Sequence, residues 1–143
     1  MAESAPTNKE AEEAVAQLRY LQNIYSQQYE FLENEIATYS LALNSMRRNS
    51  ELIENTSRLS NSKILVNGEA GMYFEAGVGI MEKVIAYVGA GYLVEKSLEE
   101  AKEFAKSNER RSEEGLRKLI SDKQKVEKEL MDISYKLSSV RQR

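Results

Sequence analysis

Cysteine, histidine and tryptophan are absent from the 143 residues, and proline occurs once, at Pro6. Without cysteine there is no disulfide, no thiolate nucleophile and no thiolate metal ligand; without histidine there is no imidazole to move protons or complete the common zinc sets. The enzyme classes built on those groups are excluded, the chain is not expected to be an enzyme, and no metal or cofactor is expected. Absence of cysteine is compatible with a reducing compartment, and the cytoplasm is the expected location. Long apolar runs are lacking too. The longest, Val84 to Val94, covers eleven residues including two glycines, against the ~20 needed to cross a bilayer. The first fourteen residues are polar, acidic or small, so no signal peptide is visible and no membrane partner is expected.

Charge of one sign is also missing. Twenty basic and 23 acidic residues are interspersed, leaving a net charge of −3, and no basic block exists to track a phosphate backbone. Nucleic acid is not an expected partner. With 41% hydrophobic and 30% charged residues, the chain is lean for a compact globule and suited to long exposed helices.

Glycine is confined to the middle. None occurs from Asn8 to Leu59, Gly115 is the sole one after Ser97, and six of the seven lie between Gly68 and Gly91. Each flanking arm opens with a capping box, Thr7 with Glu10 behind Pro6 and Ser97 with Glu100, in which hydroxyl and carboxylate satisfy the first-turn amides. The arms read as helices over residues 8–60 and 97–142. Leu18, Tyr25, Leu32, Tyr39, Met46 and Ile53 recur every seven residues, with Leu21, Tyr29, Ile36 and Leu43 widening the stripe. In the second arm Leu116, Leu119, Val126, Leu130, Ile133, Leu137 and Val140 form a matching seam broken only by Lys123. Such seams pair as coiled coils, and the two arms, roughly 75 Å long at 1.5 Å per residue, can lie antiparallel if the centre reverses the chain.

The centre repeats itself. KILVNGEAGMYFEAG, from Lys63, aligns without a gap with KVIAYVGAGYLVEKS, from Lys83, matching Lys63 to Lys83, Ala70-Gly71 to Ala90-Gly91 and Glu75 to Glu95. The pattern predicts strands near 63–67, 72–76, 83–88 and 92–96, making two β-hairpins within residues 62–96. Isolated hairpins are marginal in water and leave unpaired edges. Ile64, Leu65, Val66, Met72, Tyr73, Phe74, Val84, Ile85, Tyr92, Leu93 and Val94 are therefore expected to carry oligomerisation. The fold class is mainly α with a small β part: a long antiparallel coiled-coil helical hairpin whose two central β-hairpins are expected to assemble with those of other chains into a sheet or an oligomeric β-barrel body.

This order of parts, and above all Tyr87-Val88-Gly89-Ala90-Gly91-Tyr92-Leu93-Val94-Glu95-Lys96 running into the cap at Ser97, resembles the alpha class of prefoldin subunits, in its archaeal form, over essentially the whole chain. Twin hairpins mark the alpha class, whereas the beta class has one. The chain departs where family members commonly place a proline after the first strand's Leu-Val; here Asn67-Gly68 stands, itself a strong turn pair expected to keep the bend. The resemblance implies a hexamer of two alpha and four beta subunits, with a β-barrel body and six coiled-coil tentacles. It also implies capture of unfolded polypeptides without ATP and their delivery to a group II chaperonin.

Apolar residues are unevenly spread along the first arm. Between Ala14 and Leu32 eleven of nineteen residues are hydrophobic, between Asn44 and Leu59 four of sixteen, although a two-helix seam needs the same width throughout. The excess at the free end, Val15, Leu18, Tyr20, Leu21, Ile24, Tyr29 and Phe31, with Leu130, Met131, Ile133 and Leu137 on the second arm, is expected to bind clients. The competing reading is that these side chains thicken the seam or pack a helical cap at the tip. A structural scaffold or filament subunit without promiscuous binding is the alternative function. Gly68-Glu69-Ala70-Gly71 and Gly77-Val78-Gly79 lack the Gly-Lys-Ser/Thr of a phosphate loop and read as turns. Gly115 either loosens the second arm or permits close helix approach. Lys123 at a seam position either fixes register or snorkels, and a solvated aliphatic stem is the favoured expectation; Arg141 and Arg143 are expected to complement the helix dipole.

Overall fold

The computed structural model describes residues 7–141; Pro6, Arg143 and the last position expected in the second helix, 142, lie outside the described residues. In chain order α1 spans Asn8–Glu54, a single turn α2 spans Thr56–Leu59, β1 spans Lys63–Asn67, β2 Tyr73–Gly77, β3 Lys83–Gly89, β4 Tyr92–Ser97 and α3 Leu98–Arg141. The expected architecture of two long helices around two hairpins is what the chain adopts.

The helix boundaries follow from side chains that compete for backbone groups. At the start of α3 the capping box is complete: the Glu100 amide donates to Ser97 Oγ at 3.2 Å and the Ser97 amide to Glu100 Oε2 at 3.2 Å. At α1 the return half is present, the Thr7 amide donating to Glu10 Oε2 at 3.1 Å. The first arm is interrupted at Asn55, whose side-chain amide donates to the Glu51 carbonyl at 2.8 Å. The Asn55 backbone amide keeps its own bond to the same carbonyl at 3.0 Å, so the Glu51 oxygen accepts twice, and the regular ladder gives way in the next turn, where the Arg58 amide reaches the Asn55 carbonyl across only three residues at 3.0 Å.

The hairpins are two separate antiparallel pairs, β1 with β2 and β3 with β4. Their tips are built alike. Ala70 and Gly71 have φ of 54° and 76°, Ala90 and Gly91 of 50° and 82°, so both loops place two successive residues in the left-handed region, as a type I′ turn requires. The turn therefore lies at Ala70-Gly71 and not at Asn67-Gly68. Asn67 closes the ladder opposite Tyr73, and Val66 faces Phe74. A bend at Asn67-Gly68 would have set Ile64 to Val66 against Gly71, Ala70 and Glu69, losing the Val66–Phe74 pair and carrying Lys63 away from Glu75. Cross-strand pairing outweighed the local turn preference.

By its internal packing the chain divides into a basal unit, Leu41–Glu113, and a distal unit made of α1 up to Ser40 with α3 from Glu114. In the basal unit Ile53 of α1 packs with Ala101 and Ala105 of α3, and Val84 of β3 closes on the same cluster. Arg47 bridges Glu109 and Glu113 at 3.5 and 3.0 Å, and Glu54 meets Lys106 at 3.7 Å. As residue numbers rise in α1 their partners fall in α3, so the helices run antiparallel here.

The distal unit shows the same sense. Tyr39 lies against Gly115, and Glu33 pairs with Lys123 at 3.2 Å. A Cβ on Gly115 would stand 3.0 Å from Tyr39 Cε1, so of the two roles open to that glycine the structure selects close approach. Lys123 also departs from expectation. Its ammonium is engaged, by Glu33 and by the Tyr29 ring 4.9 Å away, because an acceptor and an aromatic face sit one helical turn apart on the opposing surface.

Candidate functional site

Two apolar surfaces remain, one in each unit. In the distal unit Tyr20, Phe31, Met131 and Tyr135 are 66, 62, 67 and 76% exposed. Helical geometry accounts for this. Tyr20 and Phe31 are eleven residues apart, three full turns, and so share a line of α1 that the heptad positions Leu18, Tyr25 and Leu32 do not occupy. Tyr135 stands two residues from Ile133 and points elsewhere on α3.

The residues expected at the tip thus separate into groups. Tyr20, Phe31 and Met131 are free surface, and Leu21 is partly so. Val15, Leu18, Ile24, Tyr29, Leu130 and Leu137 are half-buried between the helices. Ile133 is only 4% exposed and belongs to the seam, where the competing reading placed it.

Shallow grooves flank the seam near the helix ends. One, of about 560 Å³, is bounded by Val15, Arg19 and Gln22 of α1 and by Ser134, Leu137 and Val140 of α3. The other, of about 670 Å³, has Ala11, Ala14 and Leu18 facing Lys136, Ser139 and Val140. Of the half-buried residues, Val15, Leu18 and Leu137 form walls of these grooves and keep one accessible edge, whereas Ile24, Tyr29 and Leu130 line neither. Arg19, Tyr135 and Val140 were not among the site residues singled out from sequence. Val140 was assigned to the seam alone; its place near the end of the pairing, where a heptad residue loses its outer neighbours, is the signal that could have identified it.

In the basal unit the hairpins expose Ile64, Leu65, Val66, Met72, Tyr73, Phe74, Ile85, Tyr92, Leu93 and Val94, as the sequence suggested. Val84 is the departure, since it faces Ile53, Ala101 and Ala105 of its own chain. Ile80, 75% exposed in the link between hairpins, with Tyr87 and Val88, extends this surface beyond the residues the repeat picked out. Both faces of β1 are open, because a two-stranded ribbon has nothing stacked on either side.

Electrostatics act here through two paired cations. The Lys123 ammonium is held above its usual range by the hydrogen bond to Glu33, and the Arg47 guanidinium by its hydrogen bond to Glu113. Among the described residues no cluster of three or more acidic side chains could hold a metal ion, and no helix is long and apolar enough to cross a membrane. Apolar surface is thus exposed at two places, along the hairpin strands of one unit and on the helices of the other.

Residues 25–143 match the family model described as Prefoldin subunit. The chain is 27% identical over 141 residues to prefoldin subunit alpha of Pyrococcus horikoshii, covering 97% of this chain and 93% of that protein. It is 27% identical over 138 residues to the corresponding subunit of Archaeoglobus fulgidus, covering 96 and 98%. A third alpha subunit, from Thermofilum pendens, is 34% identical over 90 residues, 62% of this chain and 67% of its own. In fold the chain is similar to a cryo-EM structure of filamentous PFD from Methanocaldococcus jannaschii, with a TM-score of 0.55, 21% identity, and coverage of 85% of this chain and 96% of that one.

Proposed function

From the premise that the chain belongs to the prefoldin family, whose alpha subunits it matches over nearly its whole length, we propose that it is a single-domain holdase subunit. It captures unfolded polypeptides at the distal tips without ATP and passes them to a group II chaperonin in the cytoplasm. Prefoldins are a non-enzymatic chaperone family whose alpha subunits assemble into prefoldin complexes. In this reading the hairpin surfaces join two alpha and four beta subunits into a barrel-bodied hexamer, which uses up their free strand edges.

The observation that carries the reading is the exposure of Tyr20, Phe31, Met131 and Tyr135 in a unit whose described residues include no strand and no buried polar side chain. Aromatic and Met side chains offer area and adaptable packing without demanding one partner shape. Several such tips on one assembly raise avidity steeply when a client spans them.

The test is light scattering from a chemically unfolded protein as it aggregates, with the assembled chain present and no nucleotide. Replacing Tyr20 and Phe31 together by Ser is expected to leave the assembly unchanged on sizing and to reduce suppression of aggregation several-fold; undiminished suppression would sink the tip assignment. The filamentous solved relative supports a second reading, a scaffold or filament subunit. An intact wild-type assembly that suppresses nothing would put that reading first.

A further inference from the structure

We propose that Lys123 and Gly115 are positioning residues that fix the axial register of α1 against α3 in the distal unit. In a heptad seam successive Leu and Ile layers are nearly interchangeable, so two helices can slide by one repeat with little loss. A layer of special charge or size is what singles out one alignment. Leu116, Leu119, Val126, Leu130 and Leu137 supply interchangeable layers.

Two layers are not interchangeable. Lys123 stands where the seam would otherwise be apolar; its ammonium donates to Glu33 Oε1 at 3.2 Å and lies 4.9 Å from the Tyr29 ring centre. Glu33 and Tyr29 are four residues apart, one above the other on α1, and form a socket for one cation. Two turns earlier in α3, the Tyr39 ring fills the volume that a side chain on Gly115 would take, with the missing Cβ only 3.0 Å from Cε1. A slide of one heptad would put Leu116 or Leu130 over the Glu33 carboxylate, and Asn108 or Asp122, each with a side chain, against Tyr39. Both alternatives are penalised twice, so the two anchors reinforce each other.

The register matters at the end of the pairing. Leu137 and Val140 share a groove with Val15 and Arg19, and a slide of one heptad, about 10 Å at 1.5 Å per residue, would withdraw them from it. The inference deepens the proposed function by saying what holds the tip grooves together. Its test reads a distance rather than client capture, so failure of either can be told from failure of the other.

The chain has no cysteine, which allows spin labels at Ser26→Cys and Ser121→Cys, both on exposed positions of the distal unit. The labelled full-length chain is diluted with unlabelled copies in its native assembly, and distances are read by double electron–electron resonance. The unsubstituted seam is expected to give one population. Lys123→Leu is expected to add a second, displaced by up to about 10 Å, even though the seam becomes more apolar and melts no lower. Lys123→Arg is expected to restore the single population. One unchanged distance in Lys123→Leu overturns the role of Lys123. Should that variant fail to assemble, Glu33→Gln is read by the same two outcomes. Gly115→Leu is expected to abolish the native distance, and its retention overturns the role of Gly115.

Discussion

The hairpins Lys63–Gly77 and Lys83–Ser97 are written nearly alike and lie differently. Both turn through Ala-Gly in the left-handed region, and both carry a cross-strand Lys–Glu pair, Lys63 with Glu75 and Lys83 with Glu95. Yet Ile64 is exposed while its repeat equivalent Val84 packs on Ile53, Ala101 and Ala105. The cause is connectivity. Strand β4 passes at Ser97 directly into the cap of α3, which holds the second hairpin against the first turns of that helix. The first hairpin is set off on both sides by linking residues, 60–62 and 78–82. A repeat therefore encodes the internal ladder of each hairpin, and chain connection decides which side chains meet the helices.

Charging the outer face breaks the comparison most severely. Leu65 and Ile85 occupy equivalent repeat positions and are each 70% exposed. Under the proposed assembly, Leu65→Asp and Ile85→Asp should each weaken subunit association at least tenfold, about 1.4 kcal/mol or more, because a carboxylate would have to be desolvated at the joint. Sizing with light scattering over a concentration series measures it. An effect confined to one variant would mean that only one hairpin faces a neighbour.

A paired exchange of volume sharpens the comparison next. A Cβ on Gly68 would lie 2.7 Å from Phe74 Cε2, whereas the second hairpin has Val88 and Val94 at the equivalent positions. Gly68→Val should destabilise the first hairpin by about 1–3 kcal/mol through overpacking. Adding Phe74→Val should recover more than half of the loss, since it imports the solution the second hairpin already uses. Hydrogen exchange of the β1 and β2 amides in the two variants is the measurement, and additive losses would show that the ring and the glycine are not a matched pair.

Much of this was legible in the sequence, and the remainder was not for identifiable reasons. Heptad spacing, the capping residues at Ser97 and Glu100 and the 63/83 repeat are local patterns with one structural outcome each, and they located the helices and both hairpins. Asn67-Gly68 misled because a favourable turn dipeptide competed with Val66–Phe74 pairing, and tertiary pairing is invisible within a four-residue window. Ile133 and Val84 misled for a related reason. An apolar residue in an amphipathic stretch has a face only once its neighbour is placed, and both neighbours, α1 for the one and the start of α3 for the other, are distant in sequence. Lys123 was read as solvated because a lone lysine on a seam does not announce the Tyr29–Glu33 socket ninety or so residues earlier.

The smallest effect tests the feature in which the hairpins look most alike. Lys63 and Glu75 approach to 2.6 Å and Lys83 and Glu95 to 3.3 Å, which invites the inference that the first pair is the stronger. Exposure argues otherwise: all four side chains are between 58 and 79% accessible, and at such sites solvent screening and the entropy of holding two long side chains leave about 0–1 kcal/mol whatever the separation. Lys63→Ala and Lys83→Ala should therefore destabilise their hairpins equally, each by under about 0.5 kcal/mol, and the difference from wild type should vanish near 1 M salt, where the screening length falls to about 3 Å. A larger, salt-resistant loss in Lys63→Ala alone, read from hydrogen exchange of both hairpins, would mean that the pair at Lys63 is shielded from water by a neighbouring subunit, and would identify the first hairpin as the more deeply covered of the two.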